Sequence, residues 1–178
     1  MSAFGLQSLI QSATIGDTVD LKSICQTLEL KIRMEENSQD LCKICENDDK
    51  QIIIWLNKTL DQKTKFTFVA IAVADYILDP ERVSRHGVIY DMFFLRDLSA
   101  NKATKLIMLA TRLAIPEHII EKLSNALEAQ FSKAEDIEPF DADAYVRNAK
   151  YLPEFVRCAI KESTSMFLID NLKNKFEH

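Results

Sequence analysis

The sequence contains few of the residues on which turn-rich folds and histidine chemistry depend. Its 178 residues include only three glycines, four prolines and three histidines. So few glycines argue against an all-β fold with many tight turns and against glycine-rich loops that bind phosphate. The histidines, His86, His118 and His178, lie far apart in the sequence. The sequence therefore offers few residues for a catalytic or metal site built on histidine.

Long apolar segments are also missing. The most apolar stretch, residues 66–78, is shorter than the roughly 20 residues that a helix needs to span a membrane. The first residues have neither the basic region nor the long apolar region of a secretory signal peptide. We therefore expect a soluble, cytoplasmic protein that does not enter a membrane.

The charge balance is acidic, which counts against nucleic acid as a partner. Lys and Arg total 22 and Asp and Glu total 27, which gives a net charge of -5. Acidic residues concentrate at 35–49 and 128–143, and we interpret both stretches as solvated connectors. Because contacts to phosphate require a basic face, nucleic acid is not the expected partner of this chain.

Four cysteines are present, at positions 25, 42, 45 and 158. Cys42 and Cys45 form a C-x-x-C motif, which is typical of zinc sites and of redox pairs. A structural zinc site needs two further ligands, and the sequence has no second C-x-x-C and no H-x-x-x-H motif. We expect reduced cysteines without a metal or cofactor, and a redox or metal role for the pair remains the alternative.

Apolar spacing predicts an α+β fold that is mostly helical. Residues 88–95 fit a strand or the start of a helix equally well. The predicted elements are, in order, a helix capped by Asp17 or Thr18, strands at 30–34 and 51–56, a helix from Asp61 to about Leu78, a helix at 101–114, a helix opening at Pro116, and C-terminal helices at 151–160 and 165–176.

In residues 20–30, 53–57, 65–69 and 106–117, the sequence resembles the ImmA/IrrE family of small zinc metallopeptidases. Residues 20–30 are similar to the family's first helix, D-I-x-x-I-A-x-x-L-G-I. Residues 53–57 and 65–69 look like the strand ending in Asn and the start of the helix R-F-T-x-A-H-E-x-G-H. Residues 106–117 resemble a later helix of the form E-A-N-x-F-A-A-E-L-L-M-P. The order and spacing of these segments agree with the family.

The resemblance implies a domain organisation as well as a fold. A small metallopeptidase-like (zincin-like) domain is expected over residues 1–127, with a first helix, a short antiparallel sheet and a central helix of the H-E-x-x-H type. An acidic connector at 128–144 and a C-terminal helical segment at 145–178, packing on that domain, are expected to follow.

The catalytic residues of the family are replaced in this chain. An H-E-x-x-H helix places two histidine ligands on one face and a glutamate general base between them. Ala70 and Ala74 occupy the two ligand positions, and Ile71 occupies that of the base. Where the family has its acidic third ligand, this sequence has Ala103 and Lys105. The resemblance therefore implies a degenerate site without metal or cofactor, and a pseudoenzyme.

Other candidate catalytic groups are isolated. Asp75 and Asp79 form an i,i+4 carboxylate pair at the end of the central helix, where we expect both to be exposed to solvent. His86 and His118 are expected to be surface histidines.

A pseudoenzyme of this kind would act by binding. The resemblance implies a phage or mobile-element regulator that binds or sequesters a repressor or a host protein, with the old cleft at Ala70 and Ala74 serving as a scaffold or a docking surface. One alternative is a DNA-binding transcription regulator that uses its C-terminal helices. Another is a component of a toxin–antitoxin-like pair. The sequence leaves the oligomeric state open.

Overall fold

The computed structural model describes residues 3–36, 38–91, 94, 98–132, 141, 144 and 147. Within these residues, helices and short strands alternate along the chain. In order they are α1 (Ala3–Ser12), β1 (Thr14–Ile15), β2 (Thr18–Val19), α2 (Leu21–Thr27), β3 (Lys31–Glu35), β4 (Cys42–Glu46), β5 (Ile52–Asn57), α3 (Gln62–Leu78), α4 (Pro80–His86), β6 (Val88–Tyr90), α5 (Ala100–Arg112) and α6 (Glu117–Ser132). The predicted class, a mostly helical α+β fold, is confirmed.

The described part of the chain contains one four-stranded sheet, in the order β3-β5-β4-β6, and a separate ribbon of β1 and β2. β3 runs parallel to β5, whereas β4 is antiparallel to both β5 and β6. The sheet is therefore mixed rather than wholly antiparallel as expected. The reason is that the isoleucine-rich β5 is largely buried and takes an interior position between β3 and β4, which suits a strand covered on both faces.

The central helix α3 forms as the sequence predicts. The Asp61 carboxylate caps it by accepting hydrogen bonds from the amides of Lys63 (2.9 Å) and Thr64 (3.0 Å). The helix ends at Leu78, before Asp79, and Pro80 then begins α4. A residue that precedes a proline disfavours the helical conformation, so a helix usually ends there. Residues 68–75 are all buried, and α3 packs against β5 on one side and α5 on another. It forms the centre of the apolar core.

The helix α2 begins later than predicted. Its cap is Asp20, not Asp17 or Thr18, because Thr18 belongs to the short β2 strand. The Asp20 carboxylate accepts hydrogen bonds from the Lys22 amide (3.0 Å) and the Ser23 hydroxyl (2.6 Å). The hydrogen bond from Ser23 is the main cause that lowers the pKa of Asp20, so this carboxylate is charged at neutral pH.

The later elements follow the predicted order. The ambiguous segment 88–95 begins as the strand β6, and a helix follows Pro116 as predicted. α6 continues to Ser132, so it includes the first residues of the predicted connector. The predicted C-terminal helices at 151–160 and 165–176 lie outside the described residues. No helix of the described segments has both the length and the apolar character required to cross a membrane.

Candidate functional site

The positions to which the resemblance would assign a zinc site lie on two helices that pack together, α3 and α5. Ala70, Ile71 and Ala74 are buried in α3, and the first and last of them have no exposed surface. Ala103 is half-buried and Lys105 is exposed on α5. A buried methyl group cannot touch a docked protein. The expectation that Ala70 and Ala74 line an open docking cleft is therefore wrong, because both pack inside the core.

Asp75, on the same helix, is fully buried, although its position predicted an exposed side chain. Both of its carboxylate oxygens accept hydrogen bonds from the guanidinium of Arg82. The hydroxyl of Tyr90 donates a third hydrogen bond to Oδ2 at 2.9 Å. The chain turns at Pro80 into α4, which brings Arg82 back against the last turns of α3. The buried charge is thereby paired and hydrogen-bonded.

Neighbouring side chains extend this cluster. The Asp79 carboxylate caps α4 through the Arg82 amide at 3.2 Å and lies 3.5 Å from Arg82 Nε and 3.9 Å from Lys102 Nζ. The Tyr90 ring meets that of Phe94 edge to face at 4.6 Å. Burial, and secondarily the Asp75 charge, raise the pKa of Tyr90 above its usual value. The cluster connects α3, α4, β6 and α5, and its chemistry is that of a structural ion pair.

The two described histidines lie on the surface, as predicted. His86 is exposed at the end of α4. His118 Nε2 lies 2.9 Å from Asp17 Oδ1, and both side chains remain largely open to water. This pair connects the β1–β2 turn to the start of α6. Among the residues that the structure describes, no three His, Cys, Asp or Glu side chains are grouped so as to hold a metal ion.

The C-x-x-C motif lies on the strand β4, where its two thiols are separated. Cys42 is on the face of the sheet that meets the helices, opposite Leu56, whereas Cys45 is opposite Ile53 on the other face. Residues three apart in a strand point to opposite faces. The two sulfurs therefore cannot converge on one metal ion or form a redox pair in this fold.

We expect Cys25 and Cys42 to resist alkylation in the folded protein. Burial raises the pKa of the Cys25 thiol to about 12 and also raises that of Cys42, and the protonated thiol is a poor nucleophile. Timed labelling with iodoacetamide at pH 8, read by peptide mass spectrometry, should modify both at least about tenfold more slowly than the half-buried Cys45. Urea should abolish the difference. Equal rates in the folded protein would contradict this assignment.

A cavity of about 700 Å³ lies between α2, β3 and the first turns of α3. Five consecutive residues, 30–34, line it. Side chains of a strand alternate between its two faces, so a cavity lined by consecutive residues is bordered by the backbone of the strand as well as by side chains. In the described sheet, β3 is an edge strand that pairs with β5 alone. The cavity therefore lies beside β3, whose outer edge has no partner among the described strands.

The pairing of β3 with β5 shows which peptide groups are directed to that edge. The carbonyl oxygen of Glu35 accepts a hydrogen bond from the Lys58 amide at 2.9 Å, so the polar groups of Glu35 face β5. In an extended strand this direction alternates, and those of Ile32 and Met34 therefore point away from β5, into the cavity. The Met34 side chain is 52% exposed.

The rim of the cavity is basic and its floor is apolar. Lys22, Lys31, Arg33 and Lys65 line it, against a single carboxylate, that of Asp20. The apolar floor is formed by Val19, Leu21, Leu30, Ile32, Leu56, Phe66 and Val69. This site could not be predicted from the sequence because its residues come from five separate elements, β2, α2, β3, β5 and α3. The one local signal was the alternation of apolar and basic residues at 30–34.

No family model, curated protein or solved structure matches this chain. The resemblance to the ImmA/IrrE metallopeptidases therefore remains a prediction from sequence.

Proposed function

We propose that this protein is a binding protein that takes up an extended segment of another polypeptide along β3. The observation that carries the proposal is the outer edge of β3, which has no partner strand among the described residues and borders a cavity of about 700 Å³ over residues 30–34. A peptide that adds to a sheet edge obtains affinity from main-chain hydrogen bonds and specificity from the pockets that receive alternate side chains. The peptide groups of Ile32 and Met34, which face away from β5, and the apolar floor supply these two features.

The helix face of β3 carries no charge that would block a second strand there, which also supports this proposal. Proteins commonly protect an edge strand with a proline, a bulge or an inward-pointing charge. The side chains of β3 that lie on the helix face are Ile32 and Met34, and neither is charged. The volume of the cavity falls within the roughly 300–1,000 Å³ that is typical of ligand sites.

The proposal includes the regulatory role that the resemblance implies. The protein would be a catalytically inactive metallopeptidase homologue, encoded by a phage or mobile element, that binds or sequesters a repressor or a host protein. Alanine and isoleucine at positions 70, 71 and 74 offer neither a lone pair for zinc nor a general base. This part of the proposal depends on the resemblance, whereas binding at β3 depends on the geometry of the cavity alone.

Replacing Met34 with proline should abolish peptide binding, whereas replacing it with alanine should not. Proline removes the amide that points into the cavity, yet it breaks no hydrogen bond of the sheet because that amide faces away from β5. Peptides are first selected from a random displayed library on the immobilised wild-type protein. We expect Met34→Pro to weaken their binding at least about tenfold and Met34→Ala by less than about threefold.

Circular dichroism should show that both Met34 variants retain the wild-type helix content. If no peptide is enriched above the level of the blocked resin, binding at this site is refuted. Peptides that bind Met34→Pro as tightly as the wild type would also refute it, because they would not need the free edge of β3.

A further inference from the structure

We infer that the segment bound along β3 is acidic, with apolar and acidic side chains in alternation. This inference rests on the proposed function, since it specifies the chemistry of the polypeptide that the cavity takes up. It combines two observations, the charge of the cavity rim and the separation of apolar and basic side chains on the two faces of β3.

The rim carries four cations from three elements, Lys22 on α2, Lys31 and Arg33 on β3, and Lys65 on α3. None of the four forms a salt bridge with another described residue. The single lining carboxylate, Asp20, already accepts hydrogen bonds as the cap of α2. In a chain of net charge -5, this is a local positive surface, which attracts and orients an acidic partner.

The two faces of β3 determine where the charges of the partner lie. Ile32 and Met34 are opposite Ile54 and Leu56 on the face that meets the helices. Lys31, Arg33 and Glu35 are on the other face. Glu35 is paired there with Lys43 at 3.3 Å, and the guanidinium carbon of Arg33 lies 5.6 Å from the centre of the Trp55 ring.

A strand added beside β3 would present alternate side chains to the same two faces. Those on the helix side enter the apolar cavity, where Phe66 and Val69 form the opposite wall. Those on the other side lie beside Lys31 and Arg33, where carboxylates are favoured and cations are repelled. The complementary sequence therefore alternates apolar and acidic residues over about five positions.

The test uses three fluorescein-labelled octapeptides, in which valine alternates with glutamate, threonine or lysine. Fluorescence anisotropy with the full-length protein measures their dissociation constants at low and high salt. We expect the valine–glutamate peptide to bind about tenfold more tightly than the valine–lysine peptide, with the valine–threonine peptide between them. High salt should reduce the difference, since exposed charges are screened.

Charge reversal identifies the residues responsible. The double variant Lys31→Glu and Arg33→Glu should invert the order of the three peptides. Lys105→Glu and Lys122→Glu are the matched control, because both lysines are exposed, lie outside the cavity lining and change the net charge by the same amount. That control should leave the order unchanged.

The outcomes separate this inference from the proposed function. If library-selected peptides bind but the valine–glutamate peptide does not, or if the charge-reversed variant keeps the wild-type preference, the inference is overturned and polypeptide binding stands. If neither the library nor the three octapeptides give a ligand, both fail. A second copy of the chain at this edge would appear in sedimentation velocity as a dimer that Met34→Pro dissociates, which would also overturn the inference.

Discussion

Replacing Asp75 with asparagine is expected to lower the free energy of unfolding by about 3 kcal/mol. The side chain is fully buried and accepts hydrogen bonds from Arg82 and from Tyr90. Asparagine has nearly the same shape but no charge, so it leaves the partly buried guanidinium of Arg82 with only the half-exposed Asp79 carboxylate, 3.5 Å from Nε, as an anionic neighbour. Removal of one partner of a buried ion pair costs far more than the pair contributes. Urea unfolding followed by circular dichroism measures the change.

Two single substitutions give the scale of this effect. Asp79→Asn removes a charge that lies 3.5 Å or more from its two cationic neighbours and is 41% exposed, so it should cost less than about 1 kcal/mol. Tyr90→Phe removes one buried hydrogen bond to the same carboxylate and should cost about 1 kcal/mol. If Asp75→Asn were no more destabilising than Asp79→Asn, the buried ion pair would not be the element that holds α4 against α3.

The features that could be predicted from the sequence are those that local spacing determines. The cap at Asp61 and the apolar run after it define α3, and the helix that follows Pro116 begins where the proline indicates. The burial of Asp75 could not be predicted in this way, because it depends on the direction that the chain takes after Pro80. The i,i+4 spacing with Asp79 predicts two exposed carboxylates. Only the packing of α4 on α3 brings Arg82 to Asp75.

The candidate site also depends on how distant parts of the chain pack, so it could not be predicted from the sequence. The cavity exists because β5 lies between β3 and β4, which leaves one edge of β3 without a partner in the described sheet. Pairing between strands that are distant in sequence carries no local signal, and an all-antiparallel arrangement fits the same residues equally well. The alternation at 30–34 predicted a half-buried strand. This alternation did not indicate that the strand would lie at the edge of the sheet. It therefore gave no sign that some of its peptide groups would face away from β5.

The resemblance of residues 70–74 to an H-E-x-x-H helix illustrates how burial can contradict a prediction from sequence pattern. That pattern places positions 70 and 74 on one side of α3, where a metallopeptidase would have an open cleft. Every residue from Phe68 to Asp75 is buried, so this part of the helix is covered on all sides. A helix segment that is apolar all round is typical of a core helix. That signal was present in the sequence and counts against an open face at Ala70 and Ala74.

Restoring histidine at both positions is therefore expected to destabilise the fold rather than to create a zinc site. The Ala70→His and Ala74→His double variant inserts two imidazoles where the alanines have no exposed surface. Overpacking costs about 1–3 kcal/mol at each position, and each buried ring nitrogen without a partner adds about 1–3 kcal/mol. We expect a loss of at least about 4 kcal/mol in the free energy of unfolding, measured by urea unfolding, and no zinc binding in a calorimetric titration.

The matched control is a second i,i+4 histidine pair, Asn101→His with Lys105→His, on the exposed side of α5. Its cost should not exceed about 1 kcal/mol, because only helix propensity changes. Two histidines at this spacing share a helix face, so this variant should bind zinc where the buried pair does not. A stable Ala70→His and Ala74→His variant that binds zinc as well as the control would show that α3 has an accessible face there. The inactive cleft, and not the edge of β3, would then be the first place to look for the partner.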